Sequence, residues 1–417
     1  MVLTRDIVQE LAWNNAETIT GAMLQDYTEI GDFAFMDCTG LIAITIPSTI
    51  TKIGKCAFKR CSSLVKDAGT RQRLITIPNS VTEIGEGAFK SCYNLERVNL
   101  QCSIDQLDDE LFSCCVRLKS VTGIPSGVTR IGKECFEFCQ CLTAITLPTT
   151  VTSIDDEAFA NCIRLYAING ITQTDITRVG LNAFYNCIGL TSITLPGTVT
   201  EIGDFAFDGS GLTSALKVNG ILAFLPRSTQ GVVAPTIMSG VTTIAGGAFS
   251  KCKEITTIDI PSTVTTIGVS AFEYCSKLLA ITGGTGLQTI GNHAFYGCSV
   301  YINKFKRKLK QAGVLTAYKG FDGSMKCQGE QYTINTTKTY SGDLVLCESG
   351  LHACMNPLDC YNYYFGLYGT DVKICKVDVQ DRLLINGTSD DDTKIVARKI
   401  TPKQLLTPAE VFAAANE

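Results

Sequence analysis

Apolar residues recur along this chain in a fixed order. One unit reads Leu190-Thr-Ser-Ile-Thr-Leu-Pro196 and then Val199-Thr-Glu-Ile-Gly-Asp-Phe-Ala-Phe207. In the first segment Leu190, Ile193 and Leu195 point inward and Thr194 outward, by strand alternation. Pro196 ends the strand, having no N–H to give to a ladder. In the second segment Val199 and Ile202 point in, Gly203 turns the chain, and Ala206 and Phe207 fill the remaining corner. The same words return at Val151–Phe159 and Val264–Phe272.

The phenylalanine fixes the register. It falls at Phe35, Phe58, Phe89, Phe112, Phe136, Phe159, Phe184, Phe207, Phe249, Phe272 and Phe295, in steps of 23, 31, 23, 24, 23, 25, 23, 42, 23 and 23. Three residues later comes cysteine, at Cys38, Cys61, Cys92, Cys115, Cys139, Cys162, Cys187, Cys252, Cys275 and Cys298; Ser210 alone breaks the series. Periods of this length predict a solenoid in which no coil closes a core alone. Neighbouring coils bury Leu, Ile, Val and Phe against one another, each large side chain contributing about 1.5–3 kcal/mol. The phenyl rings are expected to stack from coil to coil.

The consensus L-x-x-I-x-L-P-x-x-V-T-x-I-G-x-x-A-F-x-x-C resembles the BspA-like class of leucine-rich repeats over about residues 27–300. The resemblance implies a mostly β, right-handed solenoid with a strand on each coil. Members of that class include surface adhesins, but the repeat specifies no ligand.

Around the repeats the pattern changes. Residues 1–26 read as a helical cap: Ile7 and Leu11, with Val8 and Trp13, give residues 4 to about 20 an apolar side, and Thr4 is placed to cap it. Lys66–Arg73 is a polar insertion of about eight residues, read as a loop. Residues 211–244 form a variant coil, with a hairpin over Lys217–Pro226 turning at Asn219-Gly220. Residues 301–315 are a basic cap or linker containing Tyr301-Ile-Asn-Lys-Phe-Lys-Arg-Lys-Leu-Lys310. Residues 316–417 read as a small α+β domain, with strands near Tyr318, Tyr332, Leu344, Val372 and Ile395 and helices near Pro357–Tyr364 and Pro408–Ala415. Its segments Tyr318-Lys-Gly-Phe-Asp322, Cys347-Glu-Ser-Gly-Leu-His-Ala-Cys354 and Asn356-Pro-Leu-Asp359 resemble an uncharacterised domain of phage and gut-bacterial proteins, to which no activity is attached.

Composition narrows the function. Of 417 residues, 45% are apolar and 18% charged, which suits a folded chain. The formal net charge of −4 gives no field to draw in nucleic acid. Twenty cysteines would suggest disulfides in a short secreted chain. Here half sit at one repeat position, where side chains stacked in register do not aim at one another as a bridge requires. They are read as reduced, buried thiols, each a small apolar filler with a weak donor for a loop carbonyl. No basic segment followed by an apolar run marks a secretory signal at the N-terminus, and no stretch has the length of a membrane span. A cytoplasmic or virion-associated setting is expected.

Candidate chemistry is sparse in the repeats, which carry one histidine, His293. What they offer is a face. The outward strand position holds Thr45, Thr76, Asn99, Thr122, Thr146, Asn169, Thr194, Asp259 and Thr282, a nearly uncharged ladder of short polar groups suited to a sugar or a partner strand. In the C-terminal domain Cys347, His352, Cys354 and Cys360 are candidate zinc ligands, but C-x4-H-x-C-x5-C matches no common zinc module. No metal or cofactor is expected. Tyr318-Lys-Gly, Gly350-Leu-His and Tyr361-Asn-Tyr-Tyr364 are similar to ADP-ribosyltransferases. In that family a first-strand Arg or His holds the dinucleotide and a late Glu polarises the ribose. The matching first position here is Lys319, which lacks the bidentate fork of Arg, and Glu410 falls on a predicted helix. The sequence therefore points to a non-enzymatic binding or structural protein with a protein or glycan partner, in a phage virion or at a host contact. The alternative is an effector whose last domain acts on targets that the repeats select.

Overall fold

The computed structural model describes residues 1–69, 72–226, 234–291, 293–298, 315–321, 324–327, 330–339, 351–354, 373–380, 384–385, 394–397 and 399–416. The chain divides into two compact units, Met1–Asn219 and Gly220–Glu417.

In the first unit each coil contributes short strands to parallel sheets. The Val-Thr-x-Ile words and their variants supply Glu29–Ile30, Lys52–Ile53 and Glu83–Ile84 to one sheet, which Val2–Leu3 of the N-terminal segment joins, and Gln106–Leu107, Arg130–Ile131, Ser153–Ile154, Arg178–Val179 and Glu201–Ile202 to the next. Ile30, Ile53 and Ile84 lie in register, which keeps one apolar residue per coil on the core side. The words ahead of the proline supply a second series: Thr18–Ile19 with Ala43–Ile44, Ile75–Ile77 with Arg97–Leu100 and Ser120–Thr122, and Ala144–Thr146 with Ala167–Asn169.

The corner between these series holds the phenylalanines. From Phe35 to Phe207 each ring is buried, and successive centroids lie 5.2–5.8 Å apart with planes within 19° of parallel. The thiols pack beside them. Cys61, Cys92, Cys115, Cys139, Cys162 and Cys187 each donate to the carbonyl of a phenylalanine one coil earlier, at 3.0–3.2 Å. All ten repeat-position thiols are buried and none is in a disulfide. Desolvation pushes the Cys187 thiol up to about 12, and Cys61, Cys92, Cys139 and Cys162 rise well above the ordinary thiol value for the same reason.

The corner is shaped by left-handed backbone two residues before and two after each phenylalanine. Around Phe159 these are Glu157, at φ 58°, and Asn161, at φ 62°. The conformation aims every second N–H at the next coil: Glu157, Phe159 and Asn161 donate to the carbonyls of Leu181, Ala183 and Tyr185 at 2.8–2.9 Å. Three inter-coil bonds thus form where no strand exists. Gly203 is not the turning residue that the pattern predicts, since its φ is not positive. It is required because a Cβ there would meet Leu181 N at 2.3 Å.

The N-terminal helix is shorter than expected, spanning Arg5–Glu10. Thr4 caps it, accepting from the Ile7 N–H at 3.4 Å, and left-handed Ala12 follows its end. Val8 is its buried residue, while Leu11 is 47% exposed. Because Val2–Leu3 pairs with Glu29–Ile30 and Thr18–Ile19 with Ala43–Ile44, this segment also supplies the first strand of two sheets. At the ends of the Lys66–Arg73 insertion Lys66 bridges to Ala43 and the Asp67 N–H donates to Leu74 O at 2.8 Å, while residues 70 and 71 lie outside the described residues. At the expected hairpin, Asn219 and Gly220 both take positive φ, 45° and 77°, as a type I′ turn requires.

In the second unit Ile221–Phe224, Thr243–Ile244, Thr266–Ile267 and Thr289–Ile290 pair in parallel, as do Thr257–Ile260 and Ala280–Gly283. Phe249, Phe272 and Phe295 stack at 4.6 and 5.1 Å. Among the described residues a seven-stranded antiparallel sheet follows, in the order Lys338–Thr339, Lys399–Leu406, Lys373–Gln380, Leu315–Phe321, Leu351–Cys354, Lys394–Ala397, Leu384–Ile385. Helix Pro408–Asn416 adds the α component. The strands expected at Tyr318 and Ile395 are present. The strand expected near Tyr332 is the short Glu330–Gln331, which ends just before it, and Lys399–Leu406 is a strand that the sequence reading missed. The strand near Leu344, the helix at 357–364 and the basic cluster at 301–310 lie outside the described residues.

Candidate binding face

The outward polar positions come together in register. Thr76 lies opposite Asn99, and Asn99 opposite Thr122. Thr146 pairs with Asn169 and, in the second unit, Asp259 with Thr282. Thr122, Thr146, Asn169, Thr194, Asp259 and Thr282 are exposed, whereas Thr45, Thr76 and Asn99 are half-buried. The side chains bond along the ladder. Thr122 donates to Asn99 Oδ1 at 3.4 Å, the Asn169 amide to Thr146 Oγ1 at 3.4 Å, and Thr282 to Asp259 Oδ1 at 2.6 Å. These bonds fix rotamers, so a partner orders little when it binds.

Two positions depart from the ladder. Thr45 follows its strand, and its hydroxyl donates to Ala68 O at 3.3 Å, in the insertion. Thr194 is in no strand, and no backbone hydrogen bond joins Ser192, Ile193 or Thr194 to Ala167–Asn169. The cause is upstream. Phe159 to Phe184 spans 25 residues, and the extra length forms the turn Ile171–Gln173 behind left-handed Gly170. The step length was a readable signal that the sequence reading left unused.

The other exposed series differs in chemistry. The threonine of each Val-Thr word stitches coils: Thr51, Thr82, Thr152 and Thr200 each donate to the carbonyl of the matching threonine one coil back, at 3.1–3.3 Å. The residue after it is charged in most coils of the first unit, Ser153 being an exception. Lys52 lies 2.9 Å from Glu83, Arg130 bridges Asp109 and Asp155 at 2.5 Å each, and Arg178 contacts Asp156 at 2.7 Å and Glu201 at 3.1 Å. Those charges are paired in the chain, while the outward ladder carries one carboxylate, Asp259.

The C-terminal candidates are placed as follows. Lys319 is 3% exposed, opposite Cys375 in the sheet, its ammonium 5.8 Å and 5.4 Å from the rings of Phe321 and Tyr332. Cys354 is buried opposite Tyr318, and His352 pairs with Val396. Cys347 and Cys360 lie outside the described residues, among which no three His, Cys, Asp or Glu side chains converge to hold a metal. Glu410 is a capping residue: its carboxylate accepts from the Thr407 N–H at 2.7 Å while its own N–H donates to Thr407 Oγ1 at 3.3 Å. Those bonds hold its carboxyl below the usual range. No helix of the described residues is long and apolar enough to cross a membrane.

Several solved structures are similar to this chain. A leucine-rich cell surface protein from Faecalibacterium prausnitzii A2-165 is similar at 27% identity over 69% of this chain and 74% of that one, with a TM-score of 0.45. A leucine-rich repeat protein from Bacteroides ovatus ATCC 8483 is similar at 26% identity over 66% and 80%, with a TM-score of 0.40. The pneumococcal vaccine antigen PcpA is similar at 19% identity over 56% and 72%, with a TM-score of 0.44. A search of curated proteins finds no match. Residues 315–414 match a domain of unknown function, DUF7666. Residues 8–67, 68–173, 168–224 and 227–316 match the BspA type leucine rich repeat region, in six copies, and with a match of that extent the chain belongs to the BspA-type leucine-rich repeat family.

Proposed function

We propose that this protein is a non-enzymatic recognition scaffold whose uncharged ladder face contacts a protein or glycan partner. The carrying observation is the in-register run Thr76–Asn99–Thr122 with Thr146–Asn169, exposed or half-exposed and already bonded along the ladder. A face of short, preordered hydroxyls and amides offers donors and acceptors at strand spacing, with little side-chain entropy to lose. A virion or cytoplasmic setting suits the thiol column, since a thiol that donates a hydrogen bond is both protonated and reduced. Capture of partners by the full chain, read by mass spectrometry, together with a glycan array, tests the reading. Thr146→Lys combined with Thr194→Lys is expected to release the captured partner, and retention of every partner by that variant would sink the proposal.

A further inference from the structure

The interrupted ladder leaves a groove of about 340 Å³, lined by Tyr166, Gly170, Gln173, Ser192 and Thr194 among others. That volume is at the small end of ligand sites, which run about 300–1,000 Å³. Tyr166 is 61% exposed at its rim, immediately ahead of the strand Ala167–Asn169, in which Ile168 is the buried residue. The groove lining carries hydroxyls, a carboxamide and backbone edges, and no charged side chain.

We infer that this groove is a subsite for one neutral sugar ring. The tyrosine offers a flat apolar face with a polar tip, which suits the C–H face of a pyranose edged by hydroxyls. Ser192, Thr194 and Gln173 supply groups that both donate and accept, as a polyol requires. The absence of charge in the lining disfavours a phosphate or carboxylate ligand. An inserted peptide strand is disfavoured by spacing. A new strand would part the coils by a further 4.7–4.9 Å or so. Yet the coils on either side are held together at Arg178–Val179 with Glu201–Ile202, and by the Phe159, Phe184 and Phe207 rings at 5.4 and 5.2 Å. The groove admits a ring at its rim and not a chain through it.

The inference rests on the ladder face being the recognition surface and names the ligand class for one end of it. The test uses the full chain and methyl glucoside, methyl mannoside and methyl galactoside as probes, with glucuronic acid as a charged control, read by saturation-transfer NMR. At least one neutral glycoside is expected to bind in preference to glucuronic acid. Tyr166→Ala is expected to weaken it about tenfold, with Tyr166→Phe retaining most of the affinity. Binding unaffected by Tyr166→Ala, preference for the acid, or no neutral glycoside bound would each overturn the subsite. Thr76→Lys with Thr122→Lys separates the two claims: it leaves glycoside binding at the groove unchanged if the subsite is real. Its effect on captured proteins reports on the wider ladder face alone.

Discussion

At the residue scale the fold depends on side chains that look unremarkable in the repeat. The backbone is left-handed two residues before and after each phenylalanine, and non-glycine residues mostly occupy those places. Each costs about 1–2 kcal/mol of local strain, offset by the inter-coil bonds that the conformation permits. Glu157→Gly is therefore expected to be more stable than Glu157→Ala by about 1 kcal/mol, read from urea midpoints. The cysteine acts through its donor as well as its volume. Phe112 O already accepts from the Cys115 N–H at 3.0 Å, so the Cys139 thiol is its second donor. Cys139→Ala is expected to cost only about 1–2 kcal/mol. The folded thiols also hold their protons to higher pH than an unfolded thiol, at about 12 for Cys187 and about 11 for Cys38 and Cys102 against 9.0. As pH climbs past 9.0 the unfolded chain releases protons first, so this contribution to stability, complete below pH 9, falls through 11 and 12. Cys187→Ala should show a shallower fall across that window in urea titrations.

At the element scale, strand words transferred from sequence to structure and helix words less well. The inward Ile and outward Thr of each strand were legible because period-2 alternation leaves one choice of face. The helix at Arg5–Glu10 was over-extended because Ile7 and Leu11 share helical spacing, while Ala12 takes a left-handed conformation that no side-chain pattern announces. The left-handed corners were illegible for the same reason: Glu157 and Asn161 carry no glycine signature. The charged series was also missed, because it is recognised only when Arg130, Arg178 and Asp155 are brought onto neighbouring coils. Asp155 contacts both arginines, at 2.5 and 3.4 Å. Asp155→Asn is expected to lower stability by about 0.5–1 kcal/mol at low salt, and the difference from wild type should shrink in 0.5 M sodium chloride, near where the Debye length is a few ångströms.

At the scale of the whole molecule, a repeat that buries its core only against its neighbours makes both the ladder and the thiol column properties of the stack rather than of any coil. The solenoid was legible from Phe and Cys spacing and the family from the full repeat consensus, whereas the C-terminal domain lacks a period from which to read its sheet order. The thiol column gives a direct check on the stack. In native protein the ten repeat-position thiols should resist alkylation, and in guanidinium without reductant all ten should react. Peptides still linked through sulfur would contradict the core described above.

The recognition face is tested most directly by hydrogen–deuterium exchange on the full chain, with and without its captured partner. Added protection is expected across the strands carrying Thr76, Asn99, Thr122, Thr146 and Asn169. Protection confined to the charged series around Lys52, Arg130 and Arg178, with the ladder strands unchanged, would contradict the account.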